Sequence, residues 1–243
     1  MKLDLLDQIL EPLLLRIDQL KKSFLTPEWT IQRVVDVSSF TMDQGQELAL
    51  SGASGSGKTT LLNLIAGILQ PDEGQVELDG QSMSGADEAN RDRLRAKLLG
   101  YIFQTFNLLQ GYTCVENVLL GMSFGGSPDR ARAAALLDRV GLSRRLDYYP
   151  RQLSTGQQQR VAVARALANQ PKLVLADEPT GNLDPENGAE ALGLIRETCM
   201  ENGAALLLVS HDKDVLGQFE EVHDLSEINK ASAWQSVAKE AGA

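Results

Sequence analysis

Cysteine is nearly absent. The 243 residues hold only Cys114 and Cys199, too few and too far apart for a disulfide framework or a zinc cluster, so they read as free thiols in a reducing compartment. Positive charge is scarce as well: 33 acidic residues against 23 basic ones leave a net charge of −10, a surface that repels phosphate backbones and anionic headgroups. Nucleic acid is therefore not an expected partner. Long apolar runs are missing too, none approaching the roughly 20 residues that a membrane-crossing helix needs. Met1 and Lys2 are followed by Asp4 and Asp7 instead of a signal-peptide core, so the chain is not expected to span a membrane by itself, and the free thiols assign it to the cytosolic side. There is no internal repeat, no low-complexity tract and no Pro/Gly linker long enough to separate two domains.

What is present is a 43% apolar content, ordinary for a globular protein, distributed in alternating strand-like and helical patterns. Strands are expected at 13–17, 34–40, 47–51 and 75–78, with a helix inserted at 58–68 and turns at Gly74 and Asp79-Gly80. A helical subdomain is expected over about 112–168. There Thr113 with Glu116 resembles a capping box, Ser127-Pro128 fits an N-cap with proline at N1, and Gly141 fits a stop. Short continuous apolar runs at 173–176 and 204–210 suit buried parallel strands. Leu3, Leu5, Leu6, Ile9, Leu10, Leu13 and Leu14 have helix-like spacing that could lie on a membrane or partner, although a lead-in to the first strand is the simpler reading. Arg91, Arg93, Arg95 and Lys97 read as a solvated helix face, since Asp92 is interleaved and no aromatic platform accompanies them.

Three apolar runs end abruptly in polar or glycine residues: 48–50 into Ser51-Gly52, 173–176 into Asp177-Glu178, and 206–209 into Ser210-His211. Ligands of open parallel sheets bind just beyond the carboxyl ends of strands, so these endings are expected to converge on one site. The first continues as Gly52-Ala53-Ser54-Gly55-Ser56-Gly57-Lys58-Thr59, a phosphate-loop pattern followed by Thr60. Its glycines let backbone N–H groups curl around phosphate oxygens and the helix N-terminus adds positive partial charge. Lys58 reaches the outer phosphates, and the Thr59 hydroxyl is a ligand for Mg²⁺. Adjacent strand-end residues point to opposite sides, so Asp177 and Glu178 can take different jobs, the first holding Mg²⁺ and the second orienting an attacking water. Ser154 with Gln157 three residues later would pass for a capping box at a helix start.

Taken in order, residues 52–60, Gln104, 153–157, 173–178, 182–184 and His211 resemble the motif set of ABC-transporter ATPases, over about residues 13 to 225. The resemblance implies an α/β P-loop NTPase fold of ABC type, with a mixed β-sheet core and an inserted helical subdomain. It implies ATP and Mg²⁺ as cofactors and a head-to-tail pair with a second copy or a similar ATPase subunit. Ser154, Gly156 and Gln157 would meet the nucleotide bound by the other subunit, Asp184 would cross the interface, and Gln104 would touch Mg²⁺ and water. His211 would act as the switch histidine near Glu178. An aromatic that stacks on adenine is expected upstream, with Phe24 the best placed and Trp29 its rival. Asp184-Pro185 also looks like a plain N-cap and N1 pair.

The chain departs from the family pattern at Thr155, where glycine is usual. A β-branched residue forced into the left-handed region would cost on the order of 1 to 2 kcal/mol and slow dimer closure. This leaves a nucleotide-dependent regulatory switch with little turnover as the alternative to a working ATPase. The end also departs, since Asp224-Leu225-Ser226-Glu227-Ile228 lacks the usual glycine turn, and residues 230–243 have no motif-based reading. Residues 176–184 with 104–109 are most similar to the lipoprotein-releasing, macrolide-exporting and cell-division branch. That branch implies a separate integral membrane permease or mechanotransmitting protein, docked around 104–122, and a peripheral place on the cytoplasmic side of the inner membrane.

Overall fold

The computed structural model describes residues 13–231. Most of the apolar N-terminal pattern and the tail beyond Ala231 therefore lie outside the described residues. Along the chain come β1 (Leu13–Leu25), β2 (Ile31–Asp43), β3 (Glu47–Ser51), α1 (Lys58–Ile65), β4 (Glu73–Leu78), β5 (Gln81–Ser82), α2 (Glu88–Leu98) and β6 (Leu99–Ile102). There follow α3 (Cys114–Gly125), α4 (Arg130–Arg139), α5 (Thr155–Ala166), β7 (Leu173–Asp177), α6 (Pro185–Glu201), β8 (Ala205–Ser210), α7 (Lys213–Leu216), β9 (Val222–Asp224) and α8 (Leu225–Ile228).

The strands of the described residues form two sheets: an antiparallel one ordered β2-β1-β4-β5 and a parallel one ordered β6-β7-β8-β3-β9. Because side chains alternate along a strand, the parallel sheet feeds two cores. Leu48, Leu50, Leu173, Leu175, Leu207 and Val209 join α1 and the antiparallel sheet on one side. On the other side, Ala49, Val174, Ala176, Leu206 and Leu208 join α3, α4, α5 and α6. Burial on both faces explains why these strands read as unbroken apolar runs. Exposed ion pairs supplement the second core: Arg139 on α4 reaches Glu201 at 2.7 Å and Glu197 at 3.0 Å on α6, and Arg160 on α5 pairs with Glu190.

Several local expectations shift. The first two strands run 13 residues each, well beyond 13–17 and 34–40, because their outer halves are partly exposed and carry charges that hide the strand pattern. Helix α1 stops at Ile65, where Gly67 with φ 63 turns the chain. The capping box at Thr113 and Glu116 is present. Helix α4 begins two residues later than Ser127-Pro128 suggests, because the Asp129 carboxylate accepts from the N–H groups of Ala131 and Arg132 and so takes the cap. On α2, Arg93 bonds Asn90, whereas Arg95 pairs with Asp92 and donates to the Ala66 and Gly67 carbonyls, both at 3.2 Å, closing the end of α1.

Both cysteines are free and buried. Burial raises the Cys114 thiol and pushes Cys199 up to about 12. We expect neither to react with a charged maleimide on the time scale of minutes until the chain is unfolded; rapid labelling of the native chain, read by intact mass, would contradict the packing. Leu207, wholly buried at the centre of β8, should lose about 3 kcal/mol of stability on replacement by alanine. A urea midpoint unmoved by Leu207→Ala would count against the two-sided core.

Candidate nucleotide site

Register decides where the site lies. In the parallel sheet Ser51 stands opposite Ser210 and Asp177 opposite Val209, so β3, β7 and β8 end level with one another. The chain leaving β3 curls through Gly55 (φ 78) and Gly57 (φ 94) before entering α1. At Gly57 the requirement for glycine is steric as well as conformational, since a Cβ there would lie 2.8 Å from the Val34 carbonyl oxygen. A cleft of about 370 Å³ opens above these strand ends, lined by Val34, Ser54, Gly55, Gly57, Lys58, Thr59, Thr60, Gln104, Glu178 and His211. Of the loop residues outside the lining, Gly52 has its carbonyl oxygen 2.6 Å from the Lys58 ammonium and Ser56 has its hydroxyl buried.

Glu178 is 7% exposed and takes the left-handed backbone conformation, φ 45. Its carboxylate is held from three sides. Oε1 lies 2.7 Å from His211 Nδ1 and 3.3 Å from Lys58 Nζ, while Oε2 accepts from the Ser210 hydroxyl at 3.1 Å and the His211 N–H at 3.4 Å. Lys58 donates further to the Ala53 carbonyl at 3.0 Å. A buried carboxylate survives only with such partners. Asp177, also buried, is raised above the usual carboxylate range first by burial, with the Thr59 hydroxyl opposing and the Glu178 charge adding to the rise. Its Oδ1 has no hydrogen-bond partner.

An orphaned, desolvated carboxylate oxygen beside a threonine hydroxyl suits a divalent cation, because a cation satisfies what no nearby donor does. Among the described residues no cluster of three or more acidic, His or Cys side chains offers a self-sufficient metal site. Two protein donors fit Mg²⁺, which usually keeps several waters and is completed by substrate phosphates.

Most of the residues named from sequence line one of two clefts, while Asp184 and Phe24 line neither. Those of the phosphate loop, Gln104, Asp177, Glu178 and His211 come together. Ser154, Gly156 and Gln157 do not join them; they line a separate cleft of about 330 Å³ with Arg160, Asn187 and Glu190. Ser154 caps α5, its hydroxyl accepting from the Gln157 N–H while the Gln157 side-chain Oε1 accepts from the Ser154 N–H. Asp184 caps α6 through the Asn187 N–H and carboxamide, the plain N-cap reading of Asp184-Pro185. Phe24 is 40% exposed, with the Lys22 ammonium 5.7 Å from its ring centre, and lines neither cleft. Trp29, 82% exposed at φ 60, sits on the turn between β1 and β2.

Thr155 corrects an expectation. It is the first residue of α5, outside the positive-φ region, so the left-handed strain and the slow dimer closure it was to cause have no basis in this backbone. A β-branched residue is tolerated there because the first helical turn needs only ordinary right-handed angles. Two contributors escaped the sequence reading, Val34 in the cleft wall and Asn229 against the phosphate loop, and neither sits at a spacing that marks it. Asn182 belongs to the matched motif run, and the structure gives it a bond of its own, its carboxamide donating to the Gln104 carbonyl at 2.6 Å.

Comparison with known proteins agrees with this geometry. The family profile described as ABC transporter matches residues 35–181. The lipoprotein-releasing system ATP-binding protein LolD of Saccharophagus degradans is 42% identical over 187 residues, covering 76% of this chain and 82% of that protein. The macrolide export ATP-binding/permease protein MacB of Syntrophobacter fumaroxidans is 42% identical over 207 residues, 83% of this chain but only 29% of its own length. Among solved structures, the dimeric bacterial ABC transporter cassette MJ0796 superposes with a TM-score of 0.79 at 34% identity, covering 86% of this chain and 93% of that one. The same cassette is known in a post-hydrolysis dimer bound to ADP and Pi. On the profile match, the long LolD alignment and the shared cassette architecture, the chain belongs to the ABC transporter family and is an ATP-binding cassette.

Proposed function

We propose that this cassette hydrolyses ATP as half of a head-to-tail pair and drives a separate integral membrane protein from the cytoplasmic side of the inner membrane, in export, lipoprotein release or mechanical coupling. The observation that carries it is the Glu178 carboxylate, fixed by Lys58, Ser210 and His211 in the same cleft as the phosphate loop. The loop N–H groups and Lys58 bind the phosphates. Glu178 has one oxygen shared with His211 and Lys58 and the other tied to Ser210, so its position is set before substrate arrives. It acts as the group that orients and polarises the attacking water, in a reaction where the protein chiefly positions reactants and stabilises charge. His211, on the exposed side of the carboxylate, keeps Glu178 turned toward the cleft and faces the outer phosphate. Asp177 and Thr59, with Gln104 at the rim, would hold Mg²⁺, which supplies charge neutralisation at the phosphate oxygens when bound.

Two surfaces support the rest of the reading. The Ser154-Gly156-Gln157 cleft is polar and separate from the phosphate cleft, as expected if a second subunit supplies the nucleotide it covers. The slow-switch alternative loses its motive with Thr155 in ordinary helical geometry. A groove of about 470 Å³ runs between the core and α3, lined by Leu99, Phe103, Leu109, Leu120 and the 71% exposed Phe124. It overlaps the 104–122 region and offers an apolar seat for a cytoplasmic helix of a membrane partner. No helix among the described residues is long and apolar enough to cross a membrane. LolD relatives are ATP-binding proteins of lipoprotein-releasing systems, and MacB carries a permease in the same chain.

Glu178→Gln should lower kcat by at least about 100-fold while ATP binding persists and an ATP-dependent dimer accumulates on size exclusion; turnover at the parental rate would remove the base assignment. Phe124→Asp should reduce recovery of a copurifying integral membrane protein by about ten-fold or more. Undiminished recovery would place the partner elsewhere, and no membrane protein recovered even with the parent chain would sink the membrane-coupled reading.

A further inference from the structure

Asn229, the residue that ends α8, is 3% exposed and uses its carboxamide to tie two distant segments to its own turn. Nδ2 donates to the Val34 carbonyl at 2.9 Å and to the Ser56 carbonyl at 3.2 Å. Oδ1 accepts from the Asp36 N–H at 2.7 Å and from the Ala231 N–H at 3.2 Å. The Lys230 N–H adds a backbone bond to Asp36 O at 2.8 Å. All four hydrogen-bonding positions of this buried side chain that touch protein are thus used on β2, the phosphate loop and its own turn.

Both acceptors it serves are at special places. In the β1–β2 ladder Lys22 stands opposite Val35 and Ser23 opposite Arg33, so Val34 is the extra residue of a β-bulge, with its carbonyl outside the regular pairing. Val34 also lines the phosphate cleft. Ser56 belongs to the loop itself. Across a trans peptide the C=O and the following N–H point in opposite directions, and no cis bond occurs among the described residues. A Ser56 carbonyl held toward Asn229 therefore turns the Gly57 N–H the other way, toward the cleft that Gly57 lines. Gly57 is pressed against the same pair of groups, since a Cβ on it would lie 3.3 Å from Asn229 Nδ2.

We propose that Asn229 is a positioning residue for the nucleotide phosphates, its carboxamide fastening the phosphate loop to the β2 bulge so that the loop's N–H groups are aimed before ligand arrives. The reading rests on ATP binding in this cleft. Nucleotide affinity thereby depends on α8, which lines no part of the cleft itself but bears on its Val34 and Gly57 wall through Asn229. Preorganised backbone donors bind anions tightly because they need no reordering on binding, and freeing the Ser56–Gly57 peptide restores that cost.

The test compares purified parent chain with Asn229→Asp, which keeps the acceptor oxygens but loses both donated bonds, and Asn229→Ala; Ser226→Ala on the same helix is the control. Binding of ATP and of inorganic tripolyphosphate, each with Mg²⁺, is measured by calorimetry alongside KM and kcat. Both Asn229 variants should weaken ATP and tripolyphosphate alike by about ten-fold and raise KM to match, with kcat within about three-fold of the parent. Unchanged affinities with a lower thermal midpoint would show a merely structural asparagine, and a loss confined to ATP would place its effect at the base; either overturns the proposal. Should both variants fail to fold, hydrogen exchange on the parent decides. ATP should slow exchange at the Asp36 and Ala231 amides, which contact no ligand, and no slowing overturns the idea. A parent that binds no ATP would overturn the ATP-binding reading together with this one, whereas a parent that binds beside unaffected variants overturns this one alone.

Discussion

The level ending of β3, β7 and β8 is the constraint on which everything functional depends. One residue of slip in either parallel pairing would move a side chain to the opposite face of the sheet, since the period is two. The register is pinned by burial on both faces: Leu207 faces α1 while Leu206 and Leu208 face the helices opposite, and neither set tolerates exposure. Core packing thereby delivers the phosphate loop, the carboxylate pair and the histidine to a single rim. It is an example of catalytic precision inherited from apolar patterning.

At that rim the balance is electrostatic. Lys58 and Glu178 are both almost excluded from solvent and lie 3.3 Å apart. A buried ion pair gives little net stability, but stranding one of its members is expensive. Glu178 is accordingly over-determined, with Ser210 and the His211 main chain sharing the charge that Lys58 does not take up. Its left-handed backbone adds strain of the sort that persists only where surroundings enforce it. Asp177 next to it is the opposite case, a carboxylate that the protein leaves incomplete.

How much of this the sequence reveals follows from how local each determinant is. The phosphate loop, the Asp177-Glu178 pair and the parallel strands are written in contiguous residues, and the chemistry of each demands particular types at fixed spacing. The cap of α6 at Asp184 is legible for the same reason. The start of α4 is not, because Ser127 and Asp129 are both competent caps and only the folded chain shows which oxygen meets two free N–H groups. Thr155 misleads for a related reason: a family preference for glycine reads as a backbone requirement, whereas the residue is ordinary helix. Asn229 and Val34 are the least legible, being nearly 200 residues apart in sequence and joined by a bulge that no pattern announces.

The proposed division of one nucleotide's surroundings between two clefts has a genetic consequence. In such a head-to-tail pair each ATP would be held by the phosphate loop of one chain and covered by the Ser154 face of the other, so a lesion in the loop would be felt at its own chain's site and a lesion in the Ser154 face at the partner's. A chain damaged at Ser154 would poison an intact neighbour's site while keeping its own loop serviceable, and so behave as a dominant allele. Two differently damaged copies, one in each surface, would restore a single working site between them when they assemble, a form of intragenic complementation that no isolated copy can display.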